Sequence, residues 1–264
     1  MKKNKKIEAT KVEQTMANKT NRFLFLLIGF ITFFVFANTI GNDYNLDDEL
    51  VTRNHPLTSQ GMKAIGEIFN SPYYKDDMGY AYGYRPIVHV SFAIEHELFG
   101  EKASVSHFIN VILYVACVLL FLSLLLKWVG EQNKWIAIVA VLFFALHPIH
   151  TEVVASIKNR DELLAFLFAL LAGLSMIKYI EKEKWISLLW ITFYFSLAVL
   201  SKKSVYPLTI IFPASSILFY SISWKKLLLI LVSFTSFSSI IESELNWSKF
   251  LLLLIIPVLL NFLL

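Results

Sequence analysis

Cysteine is nearly absent from this sequence. The single thiol, Cys117, stands inside an apolar run, so neither a disulfide framework nor a cysteine metal site can be built. Charge is scarce too. Asp, Glu, Lys and Arg make up 17% of the 264 residues, against about 25% in soluble domains, while 56% are apolar and the mean hydropathy is +0.60. No internal repeat is visible, and no small-x-small cleavage site follows the first apolar stretch. These absences exclude a soluble redox or disulfide-stapled protein and leave an integral membrane protein. Its spans are expected to be helical, because a bilayer holds no water to satisfy open backbone groups.

The net charge of +4 and pI near 9.0 could suggest a nucleic-acid partner, but the placement of the charges argues against one. Lys2, Lys3, Lys5 and Lys6 crowd the N-terminus, and other basic residues fall between apolar runs, as in proteins that set their orientation by positive charge. Residues 1–21 form a basic tail, and "FLFLLIGFITFFVFA" follows as a retained first span. Runs of suitable apolarity lie near 22–40, 106–127, 134–148, 162–180, 185–200, 204–222, 226–241 and 248–264, which predicts about 7–8 spans.

With a cytoplasmic N-terminus, more than half of the 24 Lys and Arg lie inside, whereas of the 20 acids only Glu8, Glu13, Glu131, Glu181 and Glu183 do. The outer face is therefore the acidic one, and it carries a long loop from 41 to about 105. That loop has structural signals of its own. "GMKAIGEIF" and "RPIVHVSFAIEHELFG" read as helices, with Pro86 at a first helical position and Gly100 as a stop. Tyr73, Tyr74, Tyr80, Tyr82 and Tyr84 suit a membrane interface.

Polar groups inside or beside apolar runs are expensive and mark candidate sites. In "NDYNLDDELVTRN", Asp47 and Asp48 are neighbours, so at most one can point squarely at a substrate in regular structure, and a solvated acidic loop is the simpler alternative. His107, Asn110 and Tyr114 form one stripe at the start of a span, which either lines a cavity or bonds helix to helix. "LHPIHTEVVASIKNRDELLAF" places Glu152, Ser156 and Arg160 four apart. His147, His150 and Glu152 could ligate a metal or relay protons, but they do not match the HExxH spacing and Pro148 interrupts them. In "LSKKSVYPL", Lys202 and Lys203 fall on the outer side against the positive-inside tendency. A phosphate ligand or a misplaced span would account for them.

With these residues in view, the chain resembles the membrane half of the transmembrane and tetratricopeptide-repeat O-mannosyltransferases and their bacterial relatives, within the GT-C class of glycosyltransferases. The resemblance rests on "NLDDELVTRN", "YRPIVHVSF", "FGEKASVSHFIN", "FALHPIHTEVVASIKNRDELLAFLF" and "LSKKSVYPLTIIFPA", in the family's order, over about residues 38–220. It implies an all-α, GT-C-like helical bundle with a long structured first outer loop. It also implies transfer of a sugar from a polyprenyl- or dolichyl-phosphate donor to a hydroxyl, on protein or glycan, at the outer or lumenal face. The setting would be a bacterial inner membrane or the endoplasmic reticulum. Carried over by motif, Asp47 and Asp48 are the candidate bases. Arg85, Arg160 and Lys202 are candidate donor-phosphate ligands, and His107, Asn110, His147, His150 and Glu152 candidate cavity-lining residues. No cofactor beyond the lipid-linked sugar is implied, and no metal site is expected from spacing. The family often has His where Tyr114 stands, and beyond about Ser221 no family motif is found, although apolar runs continue to Leu264. A truncated, non-enzymatic remnant, a lipid-sugar binder or a transporter is therefore the alternative reading.

Overall fold

The computed structural model describes residues 22–52, 55–75, 78–236 and 247–263. The basic tail 1–21 lies outside the described residues, as do Arg53 and Asn54 of the first motif and residues 237–241 of the expected span near 226–241. The described helices are α1 (Arg22–Gly41), α2 (Ile65–Ile68), α3 (Pro86–Phe99), α4 (Ala103–Val129), α5 (Lys134–Ala145), α6 (His150–Ala155), α7 (Arg160–Lys182), α8 (Ile186–Ser201), α9 (Leu208–Phe219), α10 (Trp224–Thr235) and α11 (Trp247–Leu263). A two-stranded antiparallel hairpin, β1 (Tyr74–Lys75) and β2 (Ala81–Tyr82), pairs Tyr74 with Tyr82 and Lys75 with Ala81.

Local chemistry accounts for several boundaries. Pro86 opens α3, where its missing N–H is not needed, and Gly100 closes it at φ 68°, a conformation open to glycine. Ser223 caps α10, its hydroxyl accepting from the Lys226 amide.

The expected 7–8 spans are corrected by the structure. Among the described residues three helices are long and apolar enough to cross a membrane: α1, α4 and α7. They coincide with the runs near 22–40, 106–127 and 162–180. Among the described residues, the other runs form apolar helices shorter than a membrane span. α5, α9 and α10 have 12 residues each, a rise of about 18 Å against a hydrocarbon core of about 30 Å. α8 has 16 residues and α11 has 17, with Pro257 inside it. Hydropathy measures composition along the chain and does not register where a helix breaks.

Pairwise contacts define two ends of the bundle. α1 runs against α4, with Gly29 beside Val115 and Leu119 and the Phe36 ring 5.0 Å from that of Tyr114. α4 and α7 run parallel. Their starts meet where Arg160 Nε donates to Asn110 Oδ1 (2.8 Å), and their ends meet at Lys127 and Glu181 (2.8 Å). The chain between them therefore returns along the bundle through α5, the His147–Pro148 break and α6. α8 folds back along α7, bringing Lys202 to the α7 start. Lys226–Glu183 (2.5 Å) and the Tyr220 hydroxyl bonded to the Lys127 carbonyl (3.0 Å) close the opposite end.

The larger core joins α7 and α8 through residues such as Ala169, Met176, Ile191 and Phe195. Small residues on α7 let neighbours approach, as is usual between membrane helices. At Gly173 a Cβ would stand 3.0 Å from the buried Phe212 ring of α9. Gly173→Val is therefore expected to destabilise the bundle by about 1–3 kcal/mol, read as a lower unfolding midpoint in detergent, with partial recovery when Phe212→Leu is added.

Candidate active site

The segment between α1 and α3 packs on the start of α7 and is held there by Asp48. Its carboxylate is buried. One oxygen accepts from the Asn45 amide (2.8 Å) and the other from the Lys158 amide (2.9 Å). Asp47 points the other way. Its side chain is 66% exposed and accepts from Lys158 Nζ at 2.8 Å. One residue of the pair is structural and its neighbour is presented to solvent.

Arg160 is fully enclosed. Its guanidinium lies 2.6 Å from the buried Glu95 carboxylate, donates to Asn110 Oδ1 and to the Ser106 carbonyl (3.1 Å), and sits 3.9 Å over the Phe92 ring. Ser106 donates to Glu95 from the other side. Asn110 also donates to the Ser156 carbonyl at 3.0 Å. This buried cluster clamps α3, α4 and α7 together. Arg160 and Asn110 are thus taken up by protein partners instead of facing an open cavity.

The next residue, Asp161, also has a fully buried side chain, and it gathers two cations, Arg85 and Lys202 (3.2 Å). Lys202 continues to Glu162 Oε1 at 2.8 Å, and Ser204 donates to Glu162 Oε2 at 3.0 Å. Behind Arg85 runs an aromatic column. The guanidinium lies 4.4 Å over Tyr73, Tyr73 stacks on His89 at 4.9 Å, and His89 meets His55 at 4.6 Å.

Burial, followed by the neighbouring His55 and Arg85, depresses His89 to about 3, and burial lowers His55 as well. A group depressed below its unfolded value near 6.5 contributes stability that is present above that pH and is lost as the pH falls towards 3. At pH 5 the His89 contribution amounts to about 2 kcal/mol of lost stability. Thermal unfolding in detergent is expected to show a lower midpoint at pH 5 than at pH 7.5, and His89→Phe, which keeps the stack, should shrink the difference.

Two concavities flank this centre. A polar cleft of about 590 Å³ lies between residues 42–45 and α6, lined by Asn42, Tyr44, Thr151, Glu152 and Ser156 among others. Tyr44 is pushed up to about 12, first by burial and then by Glu101, Glu95, Asp43 and Asp48, so it stays a neutral phenol. An apolar groove of about 380 Å³ runs beside it, with Phe144, Leu163, Phe166 and Leu208 in its walls and His150, Glu162 and Ser204 among its polar lining. His107 is buried, its Nε2 3.4 Å from the Asp43 carbonyl oxygen. His147 is exposed on the far side of α5, where its Nδ1 accepts from the Ile149 amide (3.2 Å). Among the described residues no three of His, Cys, Asp and Glu are placed to hold a metal.

The family model described as dolichyl-phosphate-mannose-protein mannosyltransferase matches residues 86–247. The chain belongs to that family. Among curated relatives, protein O-mannosyl-transferase TMTC4 of Mus musculus is 28% identical over 165 residues, covering 56% of this chain and 22% of the relative. TMTC1 of Homo sapiens is 32% identical over 143 residues, covering 53% and 16%, and TMTC2 of Homo sapiens is 37% identical over 107 residues, covering 40% and 13%. This mannosyltransferase-family chain thus spans between about an eighth and a quarter of the relatives it matches. No solved structure matches it significantly.

Within this member of the family, sequence reasoning singled out Asp47, Asp48, Arg85 and Lys202, which the fold brings to one end of the bundle. It missed Glu95, Lys158, Asp161 and Glu162. For Asp161 and Glu162 a signal existed: two acids at the edge of an apolar run, next to Arg160, carry a cost of the same kind as the arginine. Lys158 carried no comparable signal, because a lysine in a polar turn is unremarkable until its partner is known.

Proposed function

We propose that this membrane protein transfers a mannose-like sugar from a polyprenyl- or dolichyl-phosphate donor to a hydroxyl, on protein Ser or Thr, at the outer or lumenal face. The observation that carries the reading is the short segment Lys158–Glu162. It holds Asp47 through Lys158, and Arg85 and Lys202 through Asp161, so an exposed carboxylate and a pair of cations are tethered to one short segment. Asp47 takes the proton of the acceptor hydroxyl as its oxygen attacks the anomeric carbon, and the lipid phosphate departs with the bonding electrons. Arg85 and Lys202 offset the charge on the departing phosphate. The apolar groove, whose lining includes the Lys202 partner Glu162 and its donor Ser204, receives the isoprenoid chain. Lysines at the opposite end of the bundle, Lys127 and Lys226 among them, fit a cytoplasmic location for that end and for the N-terminus.

The test uses the purified chain in liposomes with donor labelled in the sugar. Transfer to Ser- or Thr-containing peptides is expected from the lipid-phosphate donor and not from a nucleotide sugar. Donor binding without any transfer would instead identify a lipid-sugar binder, and transfer from the nucleotide sugar alone would overturn the donor assignment.

A further inference from the structure

Resting on the polyprenyl-phosphate reading of the apolar groove, we infer that Glu162 is an internal stand-in for the donor phosphate, which displaces it from Lys202 and Ser204. The first ground is geometric. The Glu162 carboxylate presents two oxygens to two donors, Lys202 Nζ at 2.8 Å and Ser204 Oγ at 3.0 Å, the arrangement in which two phosphate oxygens are gripped. Glu162 and Ser204 both line the groove, next to Leu163 and Phe166, so a headgroup at this spot leaves its hydrocarbon chain against apolar walls.

The second ground is charge balance. Arg85 and Lys202 are matched by Asp161 and Glu162, and these four groups sum to zero. An incoming phosphodiester would be uncompensated unless one acid withdrew. Asp161 cannot do so, because its side chain is fully buried between both cations and an uncompensated buried charge is strongly unfavourable. Glu162 can, because its side chain is 38% exposed and rehydrates on rotating outward. Its departure leaves the cluster with one positive charge, which the phosphodiester neutralises. Ser204 thereby becomes a donor-phosphate ligand. An uncharged polyprenol, which brings no anion, gains nothing from the exchange, so Glu162 also discriminates between charged and neutral lipids.

The experiment measures binding of decaprenyl phosphate as its methyl ester, a phosphodiester carrying a single charge, and of decaprenol as the uncharged control, to the full chain in detergent. Glu162→Gln keeps the shape and removes the charge. It is expected to bind the methyl ester about five- to tenfold more tightly than wild type, with decaprenol binding unchanged. Ser204→Ala is expected to bind the phosphate several-fold more weakly. Glu162→Ala serves as a second uncharged variant, and its decaprenol affinity reports whether the groove is folded. If the wild type prefers the phosphate but both Glu162 variants bind it no better, the stand-in is overturned while the donor reading stands. If neither wild type nor variants prefer the methyl ester over decaprenol, the donor reading fails and the stand-in with it.

Discussion

Asp47→Asn is expected to reduce sugar transfer by about 10²- to 10⁴-fold, the usual contribution of a positioned base, while leaving the unfolding midpoint unchanged. Amide replaces carboxylate at nearly constant shape, and the position is solvent-exposed with Lys158 as its ion partner. Exposed ion pairs contribute at most about 1 kcal/mol, so the fold has little to lose. Asp48→Asn is expected to behave in the opposite way. One of its two carboxylate oxygens becomes an NH₂, which cannot accept from the Asn45 or Lys158 amide. A buried amide left unsatisfied costs about 1–3 kcal/mol, and the tie between the first motif and the α7 start loosens. Parallel measurement of transfer rate and melting temperature separates the two roles. An Asp47→Asn protein that transfers sugar at the wild-type rate would remove Asp47 as the base.

Arg160→Met is expected to cost about 3–5 kcal/mol of stability, enough to abolish the folded peak in size exclusion from detergent. The substitution leaves the Glu95 carboxylate buried without its cation and strips Asn110 Oδ1 and the Ser106 carbonyl of their donors. Adding Glu95→Gln, which keeps an acceptor for Ser106 without a charge, should recover a substantial part of the loss, because pair removal is far less unfavourable than stranding one ion. A direct role on donor phosphate predicts another pattern: folded protein, weaker lipid-phosphate binding, and no rescue by the Glu95 change.

These two residue pairs illustrate how much of the site was legible. The ban on neighbours sharing a face already required Asp47 and Asp48 to diverge, but the sequence is symmetric between them. The choice was made by Lys158, more than a hundred positions away, whose amide takes Asp48 and whose ammonium takes Asp47. Arg160 was legible as a cation at the edge of an apolar run, in line with Glu152 and Ser156. A phosphate ligand and a buried ion-pair partner require the same residue type, and only the approach of Glu95 from α3 distinguishes them.

The sequence by itself determined the membrane class, the positions of the apolar runs and the family, because apolarity and motif order are properties of the chain read along its length. It also placed Pro86 and Gly100 where α3 starts and stops, since both act through their own backbone dihedrals. The tertiary structure decided the number of continuous spans, the division of labour within the Asp47–Asp48 pair, and the capture of Arg85 and Lys202 by Asp161. Each of those outcomes depends on where a helix breaks or on which distant group arrives to pair with a charge. Burial and electrostatic balance are set by such arrivals, and no local stretch of sequence contains them.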